Sequence, residues 1–178
     1  VTADNASKVY GESEPASFSY QVKDPTDTTG LVTGEHLIGD LSRESGEDVR
    51  AGGYAINAGT LTNDYNKNYD IDFKSGTFTI DPRPIKVTIK GSSGVYGDDH
   101  GKAVDGAVDT LLDPEANGDE RGLAPGERLA DIGKILLDTD ATAISDVGPN
   151  YTIYAVKAAG GNAIDEATQY GNYLVTFV

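Results

Sequence analysis

Four segments of this chain are written twice, in the same order. Val1-Thr2-Ala3 and Val9-Tyr10-Gly11-Glu12 recur as Val87-Thr88-Ile89 and Val95-Tyr96-Gly97-Asp98, 86 residues further on. Gly30-Leu31 and Gly34-Glu35 return as Gly122-Leu123 and Gly126-Glu127 at a spacing of 92. Asp48-Val49 returns as Asp146-Val147 at 98, and Asn68-Tyr69 with Phe73 returns as Asn172-Tyr173 with Phe177 at 104. The spacing only grows, so the second copy carries its extra residues between the shared segments, where loops tolerate insertion. A repeat of this length means one supersecondary unit folded twice. The expected division is residues 1–82 and 83–178. The second copy has longer loops and a truncated final strand, because Gly76-Thr77-Phe78-Thr79-Ile80 has no counterpart after Val178. The chain thus reads as a piece of a longer tandem array.

Within each copy the apolar residues alternate. Tyr69, Ile71 and Phe73 are separated by Asp70 and Asp72, and Phe78 and Ile80 by Thr79. A period of two puts such side chains on one face of a sheet. Phe18, Tyr20 and Val22 follow the same rule, as do Tyr54 with Ile56 and Tyr173 with Val175 and Phe177. Lys74-Ser75-Gly76 is a predicted hairpin turn between two strands. Asp81-Pro82-Arg83-Pro84 is a predicted joint, since proline supplies no N–H to a ladder. Leu37–Leu41 reads as a short strand or extended segment, and Leu129–Leu137 as a strand in spite of a helix-like spacing. Val108–Asp113 has room for a helical turn. Tyr10-Gly11 and Tyr96-Gly97 each suggest a bend over a buried ring. Many short strands at this spacing make an all-β sandwich.

The formal net charge is −15. Phosphate backbones need a basic face, so nucleic acid is excluded as a partner, and so is an anionic membrane surface. The acidity has two readings: solubility through self-repulsion, or calcium. No apolar run approaches the length of a membrane span, so no membrane insertion is expected. Cysteine is absent, which removes disulfides and thiol chemistry and leans toward bacterial export or the cytosol.

Residues able to carry chemistry are sparse. Two histidines, His36 and His100, without cysteine do not make a zinc set, and no Gly-x-Ser-x-Gly elbow occurs. Both histidines read as surface-loop residues. Asp70 with Asp72, and Asp138 with Asp140, place two carboxylates on one strand face, whereas a glycosidase needs them on opposing walls of a cleft. The one calcium candidate is Asp113 to Glu120, with oxygen ligands at alternate positions and Gly118 sixth, but its twelfth position is Ala124 instead of an acid. No catalytic, cofactor-binding or metal-ligating residue is therefore assigned. The recurrence of Gly34-Glu35 as Gly126-Glu127 favours a turn requirement over an active site. Tyr65, Tyr154 and Tyr170, off the alternating pattern, are the candidates for an exposed carbohydrate platform.

Val9-Tyr10-Gly11, Leu31 to Leu37 and Asn68 to Ile80 together resemble the MBG ("mostly bacterial Ig-like") domains of the type that carries Tyr-Gly. The resemblance covers the chain twice over, with departures in the Asp105–Gly122 interval and at the end of the second copy. It implies two tandem Ig-like β-sandwich domains in an elongated arrangement. It implies a non-enzymatic stalk or spacer in a large bacterial surface or secreted adhesin, of filamentous-haemagglutinin-like or biofilm-matrix type. The partners would be neighbouring repeats of the same chain, with the segment a monomer. The alternative is a module that itself grips an extracellular polysaccharide or a host-surface ligand.

Overall fold

The computed structural model describes residues 1–23, 30–106, 112–115, 122–148 and 150–178. The described residues are mostly strand and loop, with one short helix and one 3₁₀ turn. Two units separate by their internal contacts, Val1–Asp81 and Pro82–Val178.

In unit 1 the alternation becomes burial. Strand β6 (Gly76–Asp81) buries Gly76, Phe78 and Ile80 and exposes the residues between them. It is the spine of a four-stranded sheet of order β2-β6-β5-β4, with β2 at Ala6–Val9, β4 at Ser42–Arg43 and β5 at Tyr54–Asn57. β2 joins it in parallel and β5 antiparallel, so Phe78 lies opposite Ala6 and Tyr54. A second, two-stranded sheet pairs β1 (Thr2–Ala3) with β3 (Tyr20–Gln21). Both sheets feed one core, in which Ala3, Leu37, Leu41, Tyr54, Ile56, Leu61, Phe78 and Ile80 are buried. Phe18, Tyr20, Val22, Tyr69, Ile71 and Phe73 are half-buried against it, as their period of two requires.

The predicted hairpin at Lys74-Ser75-Gly76 does not form. Lys74 bridges Thr2 in parallel, with Ala3 N–H donating to its carbonyl at 2.9 Å and its own N–H donating to Val1 at 2.8 Å. Two residues later the chain has crossed to the other sheet. The crossing explains Gly76, whose φ is not positive. A Cβ there would stand 2.7 Å from the Asp4 carbonyl oxygen, so glycine lets two backbones touch. Leu37–Leu41, read as a strand or extended segment, bends at Gly39, whose φ is +122°, and buries both leucines; pairing starts only at Ser42.

Unit 2 repeats the junction in its own hydrogen bonds. Ile89 N–H donates to Val178 at 2.7 Å and Val178 N–H to Val87 at 3.0 Å, the counterparts of the Ala3–Lys74–Val1 set. Here the parallel ladder is long: β12 (Tyr173–Phe177) pairs with β7 (Arg83–Ile89) over five positions. Its sheet has the order β11-β12-β7-β8, with β8 at Leu112–Glu115 and β11 at Thr168–Tyr170. Ile85, Val87, Leu112, Tyr173 and Val175 are buried. Strand β9 (Leu136–Thr139) pairs with β10 (Ile153–Val156) as a separate two-stranded sheet, and the helix α1 (His100–Gly106) packs against β9.

Four further expectations need correction. Pro84 lies inside β7 instead of ending the ladder. Arg83 and Ile89 send their N–H groups toward β12, so Pro84 faces the other way, where β8 starts only at Lys86. Leu129–Asp131 is a 3₁₀ turn, and the strand begins at Leu136. Of Val108–Asp113, given room for a helical turn, residues 108–111 lie outside the described residues, and Leu112 and Asp113 are in β8. Tyr96 is 62% exposed, whereas Tyr10 packs on the unit 1 core. The bends themselves recur: Glu12 N–H donates to Val9 at 3.0 Å and Asp98 N–H to Val95 at 3.1 Å.

Candidate functional site

The recurrent Gly-Glu pair closes a turn in each unit. Glu35 N–H donates to the Val32 carbonyl at 3.0 Å, and Glu127 N–H to Ala124 at 3.1 Å. Gly34 and Gly126 sit at φ +89° and +87°, a region open to glycine. The carboxylate has a task that its sequence position did not reveal. The Tyr69 hydroxyl donates to Glu35 and accepts from Val32 N–H at 3.1 Å. In unit 2 the Tyr173 hydroxyl donates to Glu127 and accepts from Ala124 N–H at 2.9 Å. The tyrosine of the Asn-Tyr segment thereby clasps the turn of the Gly-Glu segment, twice. Hydrogen bonding to the Glu35 carboxylate raises the Tyr69 pKa, which opposes tyrosinate formation. Each phenol is engaged as donor and as acceptor, an arrangement that holds a turn.

The two clasps differ in burial, which sets their energetics. The bond that Ala124 N–H donates to Tyr173 is buried, and the one that Val32 N–H donates to Tyr69 is exposed. Tyr173→Phe should cost about 1–3 kcal/mol, because it strands a buried N–H. Tyr69→Phe should cost less than about 1 kcal/mol, since water replaces the hydroxyl. Urea melts of the two single variants test this, and equal costs would contradict the burial difference.

Unit 1 also holds a charge cluster. The side chains of Lys8 and Arg43 are 6% and 9% exposed. Lys8 donates to Glu14 at 2.7 Å and to Glu47, while Arg43 reaches Glu14 through Nε at 3.1 Å and Nη2 at 2.6 Å. Arg43 Nη1 donates to the Glu44 and Gly46 carbonyls. Its guanidinium lies 4.8 Å from the Phe78 ring centre. The Arg43 hydrogen bond holds the Glu14 carboxyl down at about 2, and the Lys8 bond lowers Glu47. Among the described residues unit 2 has no counterpart of the cluster: Gly94 stands at the Lys8 spacing, and Leu137 takes the ladder place of Arg43. With its cations bonded to carboxylates and carbonyls, it anchors β2 to β4.

The other singled-out residues are scattered. His36 is exposed, whereas His100 is half-buried at the start of α1, against the expectation of a surface loop. Its ring packs so closely on Gly94 that a Cβ there would stand 2.4 Å from Nδ1. Asp70 and Asp72 are exposed. Asp138 and Asp140 accept backbone N–H groups, from Thr139 at 2.8 Å and Thr152 at 2.6 Å. Of the calcium candidate, Asp113, Pro114 and Glu115 lie in β8, an extended backbone that does not wrap an ion, and residues 116–121 lie outside the described residues. Among the described residues no group of three or more His, Cys, Asp or Glu is placed to hold a metal.

Nor do the three platform tyrosines behave alike. Tyr154 and Tyr170 belong to strands β10 and β11, not to loops, and both are half-buried. Tyr170 meets Phe177 edge-on at 6.1 Å, and burial raises its pKa. Tyr65 is 64% exposed and lines a cleft of about 590 Å³ with Glu35, His36 and Lys67. No described helix is long and apolar enough to cross a membrane.

Nothing among the curated proteins or the solved structures matches the chain. Residues 1–79 match the family model of the MBG domain (YGX type). Unit 1, with its Tyr10-Gly11 bend, its Glu35–Tyr69 clasp and its β6 spine, is the part of the chain that is similar to the MBG domain of the YGX type.

Proposed function

We propose that the chain is a non-catalytic repeat segment of a bacterial surface or secreted adhesin, a spacer built of two Ig-like sandwiches in an elongated arrangement. The observation that carries this reading is the duplication of the clasp and of the parallel junction, hydrogen bond for hydrogen bond. What the two units share is what holds each fold together. The charge cluster of unit 1, one of the features that set it apart, is engaged internally. Duplicated scaffolding suits reach, as in arrays whose stability comes from each unit and its neighbours. The MBG match over residues 1–79 supports a place in a repeat region of a bacterial surface protein. Small-angle scattering tests the shape: the radius of gyration should exceed the roughly 16 Å of a compact particle of this length. A value at that figure would sink the spacer reading.

A binding module is the second reading, and Tyr65 in its cleft is what favours it. Under that reading an extracellular polysaccharide or host ligand stacks on the exposed ring. A glycan array probed with the chain and with Tyr65→Ala separates the two: glycan binding lost in the variant favours the module, and no binding by either leaves the spacer.

A further inference from the structure

The units differ most in one sheet. In unit 1, β6 lies between β2 and β5, and Tyr10 N–H donates to Asp81 at 2.9 Å. In unit 2 the residues at the spacing of β2, 92–95, lie outside any strand and are exposed. The counterpart of β5 is β10. Leu136 and Leu137 face Val156 and Ala155 as Ser42 and Arg43 face Asn57 and Ile56, so Ile153 takes the place of Tyr54. Between these segments is a cleft of about 520 Å³, lined by Ser93, Gly94, Tyr96, Thr139, Tyr151 and Ile153 among others. Its position is that of the strand β6 in unit 1. Tyr96, exposed here, is the counterpart of Tyr10, which β6 helps to hold down.

We propose that this cleft is a strand-acceptor site whose occupant is an extended strand of the Thr77–Asp81 pattern, continuous with β12. Three observations select that occupant. Val178 bonds to Val87 and Ile89 as Lys74 bonds to Val1 and Ala3, and in unit 1 only Ser75 separates Lys74 from β6. A strand continuing from β12 thus enters the cleft after one residue. The far end of β10 is already covered, by the Val156–Ala163 bridge and by Ile164 N–H donating to Ala155 at 2.8 Å. The open stretch is Ile153 and Tyr154, the places that face Phe78 and Thr77 in unit 1. A second copy cannot lend its own β6, whose Phe78 and Ile80 are 0% and 1% exposed in their own core. The occupant therefore alternates polar and large apolar residues, and main-chain bonds provide attraction while the alternate side chains provide selection. This inference rests on the internal repeat and not on the surface-protein reading, so either can fail alone.

The test lengthens the full chain by seven residues after Val178 that copy Ser75–Asp81. A control extension has serine at the two places that copy Phe78 and Ile80. The first extension should raise the melting temperature by about 5 °C or more over the control. It should also slow amide exchange at Ile153, which faces away from β9 as Ala155 does. No rise over the control overturns the proposal, as does a rise without protection at that residue. Sedimentation supplies a further arm: a dimer of the unextended chain that persists in the extended one assigns the cleft to a second copy and also overturns it.

Discussion

Phe78→Ala should destabilise unit 1 by about 3–5 kcal/mol, the range for truncating a buried aromatic. The ring is fully buried on an inner strand of the four-stranded sheet, where no edge allows the structure to collapse around a void. It meets Phe18 edge-on at 5.6 Å. Its other neighbour is the Arg43 guanidinium, so truncation also removes a cation–π contact in a desolvated site, worth about 1–2 kcal/mol of the total. Phe73→Ala is the control, since that ring is only half-buried and its loss should cost clearly less. Chemical denaturation of both variants, followed by tyrosine fluorescence, measures the difference. A Phe78→Ala cost below about 1 kcal/mol would mean that β6 is not the spine of the unit.

Side-chain periodicity and the repeat were legible in the sequence, and the partners of the backbone were not. Tyr69, Ile71 and Phe73 face the core as their alternation requires. Yet alternation says which face a residue takes, never which strand lies beside it. That is why Lys74-Ser75-Gly76 read as a hairpin when the chain was changing sheets. The signal for the change was physical and unread: Gly76 has no positive φ and is needed for contact with Ala3 and Asp4, some 70 residues away in sequence. The Glu35–Tyr69 clasp was hidden for the same reason. Its halves recur at spacings of 92 and 104, and only a fold that joins them turns two repeated segments into one hydrogen bond. The β11–β12 hairpin was missed although Gly171-Asn172 supplies its two-residue loop, because Thr168-Gln169-Tyr170 is too short to show a period. The sequence also concealed the charge cluster, since Lys8 with Glu14 and Arg43 with Glu47 lie far apart in the chain and meet only when β2 and β4 belong to the same sheet.

That cluster should make unit 1 sensitive to acid. Glu14 is held at about 2 against an ordinary value of 4.5, first by the Arg43 hydrogen bond. Glu47 is lowered as well, first by Lys8. A depressed carboxylate favours the fold when ionised, because the unfolded chain binds protons more readily. The stabilisation is therefore complete above pH 4.5 and drains away as pH falls through about 2. Removing the charges should reproduce the loss at neutral pH. In the double variant Glu14→Gln with Glu47→Gln, the buried Lys8 and Arg43 keep their charges and lose their counterions. Stranding a buried charge costs about 3–5 kcal/mol. The exposure of Glu14 and Glu47, 42% and 65%, means solvent already screens them, and about 1–3 kcal/mol is expected. The decisive reading is the pH profile of the melting temperature. The parent chain should lose stability between pH 5 and 2 more steeply than the double variant, and the two curves should converge at the acid end. Parallel curves would show that acid acts elsewhere, on pairs such as Glu44–Arg50, whose carboxylate is also held at about 2 but at the solvent-exposed edge. Added salt distinguishes the two pairs, since it screens the exposed one and leaves the buried cations of the cluster dependent on their glutamates.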